Sequence, residues 1–223
     1  MKPKVIVPPG AEPITVEEAR MHLEAQSYGE SDTDPADDAQ IADWIIAARE
    51  FAESFTGLSF TQRTLEIALD EFPRARAHGW GLTRSGFGGG RSSSRVAPPI
   101  ELPMGPVVEI VSIQVGEESD GPMDAAAYVL DDYATPHAVR ATGASWPSVP
   151  AVPNGIKIRY VAGYALDSSE GGELVPRQAV AAMKLIIGHL YANREDSTET
   201  ALQTLPNGAE ALLRPLRVRL GMA

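Results

Sequence analysis

Along the chain, apolar positions recur first with a helical period, then with a strand period, then with a helical period again. Thr15 and Glu18 have the S/T-x-x-E spacing of a capping box. That pair predicts a short helix running to about Leu23. Ser27–Asp38 is rich in Asp, Ser and Gly, carries Pro35, and reads as a loop. From about Asp37 to Thr56, the residues Ile41, Trp44, Ile45, Ala48, Phe51, Ala52 and Phe55 form an i, i+3, i+4, i+7 stripe. Asp37 and Asp38 stand where a helix dipole favours negative charge, and Gly57 suits the left-handed position after the last turn. Trp44 and Phe55 lie on the stripe, so core packing is their expected role.

The period shortens at Thr64. Leu65, Ile67 and Leu69 alternate with Thr64, Glu66 and Ala68, the pattern of a half-buried strand. Residues 73–99 follow neither period and centre on GWGLTRSGFGGGRSSSR. Further strands are predicted at 99–102, 107–115, around 127–131 and at 156–162. Pro and Gly between them suggest a small antiparallel sheet or a barrel-like insertion.

Helical character returns after Pro176, a residue suited to a first turn. The stripe Ala179, Val180, Met183, Ile186, Ile187, Leu190 and Tyr191 predicts a helix from Gln178 to about Arg194. After a polar stretch at 195–204, Asn207 and Glu210 repeat the cap spacing, and Leu212, Leu213 and Leu216 supply an apolar side. Pro215 should kink or end that last helix near Arg214. The order is helices, strands, helices, which defines an α+β class rather than a doubly wound sheet. It reads as a single domain over 1–223. N- and C-terminal helices (about 13–57 and 175–220) form the scaffold, and a β-rich insertion (about 60–165) lies between them.

Composition narrows the function classes. The chain has no cysteine, which removes disulfides, thiolate metal sites and cysteine nucleophiles, and fits a reducing compartment. No apolar run approaches the roughly 18 to 20 residues of a membrane helix. MKPKVIVPPG has too short an apolar stretch for a signal peptide and reads as an extended arm. A soluble protein made in the cytoplasm is expected. Net charge is −11, unevenly spread. Residues 1–72 carry 15 acids and 5 bases, residues 73–174 carry 11 and 8, and residues 175–223 carry 4 and 6. Such a chain repels phosphate backbones, so nucleic-acid binding is not its expected main role. Its acidic front and mildly basic tail could meet head-to-tail between copies, or the charge could simply be solvated.

The common catalytic constellations are missing. Gly86–Gly90 lacks the Lys-Ser/Thr of a P-loop and the spacing of a dinucleotide fingerprint. Counted as a calcium loop from Asp32, the acidic run has Ala36 at its fifth position, Asp37 in place of the glycine and Asp43 in place of the final glutamate. His22, His78, His137 and His189 form no local metal pair, and no G-x-S-x-G elbow occurs. Glu17–Glu18 and Asp131–Asp132 are adjacent residues that point in different directions. An enzyme would need a site assembled from distant residues, recognisable as carboxylates or histidines converging in a pocket.

A resemblance is carried by an ordered set of segments: ITVEEARMHL (14–23), DAQIADWIIAAREFAESFTG (38–57), LEIALDEFP (65–73), IELPMGPVVEIVSI (100–113), IKIRYVAGY (156–164), VPRQAVAAMKLIIGHLYANRED (175–196) and LPNGAEALLRPLR (205–217). In this order and spacing the chain resembles the head–tail connector, or adaptor, proteins of tailed bacteriophages and gene-transfer agents, from about residue 13 to 217. The resemblance implies a virion protein at the head–tail junction. It would form a ring, commonly twelvefold, below the portal protein, extend the DNA channel and offer its far face to a stopper or tail-completion protein. It implies no catalytic role and no cofactor. Two features depart from the pattern: segment 79–95 is longer than expected, and Leu216 stands where an aromatic is expected before Arg217. Another virion component, such as a tail-completion protein, is the alternative.

Within that frame the C-terminal residues Leu212, Arg214, Leu216, Arg217, Val218, Arg219 and Leu220 are the candidate portal-docking segment. Two readings stay open for it: a tail that orders on assembly, or a last helix packed on its own core and followed by a frayed end. The loop residues Trp80, Phe87, Arg91 and Arg95 are candidates for a partner- or lumen-facing loop, with a surface excursion as the plainer reading. Passing DNA would meet an acidic, repulsive wall without sequence-specific binding. No membrane contact is expected.

Overall fold

The computed structural model describes residues 3–26, 35–74, 97–116, 121–143, 145–149, 152–167, 173–193 and 207–218. Eleven helices and strands follow in the order β1 (Lys4–Val7), α1 (Val16–Gln26), α2 (Pro35–Thr56), β2 (Arg63–Leu69), β3 (Ile100–Glu101), β4 (Val107–Val115), β5 (Tyr128–Asp131), β6 (Ala138–Ala141), β7 (Ile156–Ala162), α3 (Arg177–Ala192) and α4 (Asn207–Leu213). Short 3-10 turns precede β5 and follow α4. The class is α+β.

The helices start and stop where their local chemistry dictates. The capping box is formed: the Thr15 N–H donates to Glu18 Oε2 and the Glu18 N–H donates to Thr15 Oγ1, both at 3.2 Å. α1 runs one turn beyond the expected Leu23. Arg20 of α1 pairs with Asp38 near the start of α2, which ties the two helices together. α2 ends at Gly57, whose φ of +75° is the left-handed conformation that glycine adopts at least cost. α4 gives way to a 3-10 turn at Arg214–Leu216 around Pro215, as the missing proline N–H requires.

The helices share one core. Ile41, Ile45, Ala48 and Ala52 of α2 pack with Ala19 and Leu23 of α1, Ala179, Met183 and Ile187 of α3, and Ala209 and Leu213 of α4. Trp44 and Phe55 are half-buried against this core, and Trp44 meets Tyr191 edge-on at 6.0 Å.

The strands form two antiparallel sheets, one in the order β1-β2-β7-β4 and one in the order β3-β6-β5. Leu65 and Ile67 of β2 and Ile156, Ile158, Tyr160 and Ala162 of β7 turn one face of the larger sheet inward, onto Ile100 and Val139 of the smaller sheet. This is the period-2 alternation visible in the sequence. Phe72 stacks on Trp146 at 4.9 Å at the margin of the same core. Two of the seven strands depart from expectation. The N-terminal arm is extended, as predicted, but it also pairs with β2 as an edge strand. β6, with the sequence AVRA, was not predicted; it is too short to show a period. β4 pairs with β7 through two bulges, at Val108 and Val111.

A buried ion-pair group joins the helical and sheet layers. Glu53 of α2 accepts from Arg49 at 2.9 Å, from the Phe60 N–H at 2.9 Å and from Arg63 of β2. Arg49 also donates to Glu12 at 2.7 Å. Each charge taken from water is thereby matched by an opposite one.

Tyr160 lies at the centre of the sheet core and donates its hydroxyl to the Pro103 carbonyl at 2.8 Å. Burial pushes its phenol well above the usual tyrosine range, and burial raises Tyr164 and Tyr128 as well. An acid whose pKa is raised by folding stabilises the native state fully below its unfolded pKa and loses that contribution as pH climbs above it. Thermal stability should therefore fall above about pH 10. Melting curves from pH 8 to 11.5, read with tyrosinate absorbance, check this. Tyrosines that ionise near pH 10 without loss of fold would contradict it.

Candidate functional site

The segment expected to dock a partner is packed on its own core as far as it is described. Ala209 and Leu213 are buried, and Leu212, Leu216 and Val218 are half-buried against the helices. The Val218 N–H donates to the Thr56 carbonyl at 2.8 Å, so the segment closes the C-terminal end of α2. Gly57 allows this approach, since a Cβ there would stand 3.2 Å from the Val218 carbonyl oxygen. Arg217 lies over the Phe55 ring at 5.4 Å. Arg214 pairs with Glu210 at 2.8 Å but keeps 73% of its side chain exposed. Arg219 and Leu220 lie outside the described residues, as do Trp80, Phe87, Arg91 and Arg95.

Beside this segment is an open cleft of about 590 Å³. Its walls are the turn Leu102–Pro106, the turn Thr135–His137 and the segment Pro215–Val218, with Leu58 and Tyr164 between them. The walls are tied to one another. Ser59 N–H donates to Gly105 O at 2.8 Å, Leu102 N–H to His137 O at 2.9 Å, and Tyr164 N–H to Ser59 O at 3.1 Å. His137 Nδ1 accepts from the Val107 N–H at 2.9 Å, which leaves the proton of a neutral ring on Nε2. The lining is mainly apolar, and its polar side chains are Thr135, His137, Glu173 and Arg217. Two loops and a chain end build this cleft, so no periodic signal in the sequence announces it.

A second feature absent from the sequence reading is Tyr133, in the β5–β6 turn, which is 96% exposed. The turn around it is braced. Asp131 is held below the usual carboxylate range first by the hydrogen bond from Arg140, against the opposing effect of burial. The N–H groups of Tyr133 and Ala134 also bond to it.

Among the described residues no group of three or more His, Cys, Asp or Glu side chains could hold a metal ion. Nor is any described helix long and apolar enough to cross a membrane. The geometry provides surfaces for binding: a tied apolar cleft, a basic chain end beside it and an exposed aromatic on a braced turn.

The fold belongs to a class found in particles that carry DNA between cells. No protein-family model matches the sequence, and no curated protein does. Among solved structures, a chain in the virion of a native gene transfer agent particle superposes with a TM-score of 0.72 at 21% identity, covering 100% of this chain and 99% of that one. A chain in the neck of an empty gene transfer agent particle, computed with C6 symmetry, gives 0.70 at 22% with the same coverage. A chain in the neck of the native particle, computed with C12 symmetry, gives 0.65 at 21%, again over 100% and 99%. The fold is thus shared from end to end.

Proposed function

We propose that this chain is a structural component of a virion neck, and specifically the head–tail connector. In this reading it forms a ring below the portal protein, extends the DNA channel and docks a stopper or tail-completion protein. The observation that carries the reading is the end-to-end superposition on chains of gene transfer agent particles, two of them from the neck. The ordered sequence segments point the same way independently. The C6 and C12 symmetries of those two neck structures support a ring.

A ring needs heterologous contacts, one surface of each copy meeting a different surface of the next. The acidic balance of the chain supports a channel wall that repels phosphate, so that DNA passes without sticking. With Leu212, Leu216 and Val218 engaged on their own helices, portal docking by the C-terminal end falls to exposed Arg214 and to residues past Val218. Deleting the whole segment would uncover the end of α2, so point substitution is the better probe.

The test is to mix the chain with its cognate portal and image the mixture by negative stain. The expected result is a collar of density added symmetrically at one end of the portal. Arg214→Glu should weaken that binding with little change in melting temperature. A folded chain that leaves the portal bare would sink the reading.

A further inference from the structure

We propose that neighbouring copies of this chain are joined by Tyr133 of one copy entering the cleft between Leu102–Pro106, Thr135–His137 and Pro215–Val218 of the next. The inference rests on the ring reading and names the contact that would hold such a ring together.

Tyr133 is an outlier. The other exposed large apolar side chains reach at most 55%, at Met21, against its 96%. Scattered half-exposed apolar residues are ordinary on a protein surface. A tyrosine presented whole, on a turn whose backbone N–H groups are held by a carboxylate, is not. A rigid aromatic on a fixed backbone loses little freedom when covered, which is why such residues anchor interfaces. Covering one removes roughly 150–250 Å² from water.

The cleft has the matching chemistry. Its volume of about 590 Å³ exceeds what a single tyrosine ring requires, and its walls are mainly apolar. A buried phenol hydroxyl needs polar partners, and Glu173 can accept from it while His137 Nε2–H can donate to it. Charge sets the orientation. Asp132 precedes Tyr133 at the tip, and Arg217 lines the cleft, with Arg214 one turn earlier in the chain. Glu173 is the lining residue of like sign to Asp132, so the tip must enter with Asp132 toward Arg217 and the phenol toward Glu173. Knob and cleft are different surfaces of the same chain, which makes the contact heterologous and able to close a ring.

Sedimentation velocity of the full chain from micromolar to millimolar concentration tests this. Tyr133→Ala should weaken self-association by about thirtyfold or more and leave the melting temperature unchanged. Asp132→Arg and Arg217→Asp should each weaken it, and the doubly substituted chain should recover association, because the charges again oppose across the junction. If Tyr133→Ala associates as the native chain does, the contact is wrong and the ring reading stands. If the native chain stays monomeric to millimolar yet forms a collar on the portal, this contact does not hold neighbours together and the ring reading again survives.

Discussion

Replacing Gly163 with alanine is expected to abolish the native fold. Gly163 follows β7 with φ of +128°, a region that L side chains rarely adopt. A Cβ there would lie 2.1 Å from the carbonyl oxygen of Thr61 and 2.4 Å from its carbon. Those are backbone atoms, and they are held in place. The Thr61 carbonyl accepts from the Ser59 hydroxyl at 2.8 Å, and the Gly163 N–H donates to Pro106 O at 2.8 Å. The chain therefore has no cheap direction in which to move. Strain and displacement together should cost more than ~3 kcal/mol, a large share of the ~5–15 kcal/mol that holds a typical domain. Urea denaturation of the purified variant is the check. A cooperative transition at the native midpoint would show that the backbone relaxes freely there.

Glu53→Gln should be the next most damaging single change. The substitution keeps the shape and one acceptor for the Phe60 N–H, but it removes the charge that Arg49 and Arg63 share. Both guanidinium groups are buried, and Arg63 Nε already has no hydrogen-bond partner. Breaking a buried pair by removing one partner costs about 3–5 kcal/mol. Glu66→Gln is the control, since its partner Arg159 keeps 42% of its side chain exposed. Exposed pairs contribute about 0–1 kcal/mol. Equal losses for the two variants, measured by guanidinium denaturation, would mean that Glu53 is no more than a surface-like contact.

What the sequence shows follows from the length scale of each interaction. The capping box at Thr15 and Glu18, the stripes of α2 and α3 and the alternation around Ile67 are local patterns, and each matches its element. The strands at the margins were harder to read because pairing partners decide them. The arm at Lys4–Val7 becomes a strand only because β2 lies beside it, and AVRA at 138–141 is held between β3 and β5. Glu53 falls three residues from a helix end and gives no sign of burial. Its role depends on Arg63, ten residues further on. The cleft and Tyr133 were illegible for the same reason: in DDYATPHAVR nothing separates a tyrosine that packs inward from one that stands in solvent. The C-terminal segment was read as two alternatives, and hydrogen bonding to Thr56 is the detail that could not be inferred from LLRPLRV.

The two bulges in β4 have a consequence for solubility. Any protein that works as many copies side by side brings its sheet edges to high local concentration, and an open, flat edge is a template for uncontrolled strand addition. β4 is the longest strand and lies at one edge of its sheet, yet Val108 and Val111 interrupt its register and sharpen its twist. At the opposite edge β1 is only four residues long, bears Lys4 and runs directly into Pro8 and Pro9. Neither border offers a run of straight, regularly spaced donors and acceptors. Crowded copies are thus steered toward contacts made by side chains and away from the cross-β stacking that would turn an assembly into an aggregate.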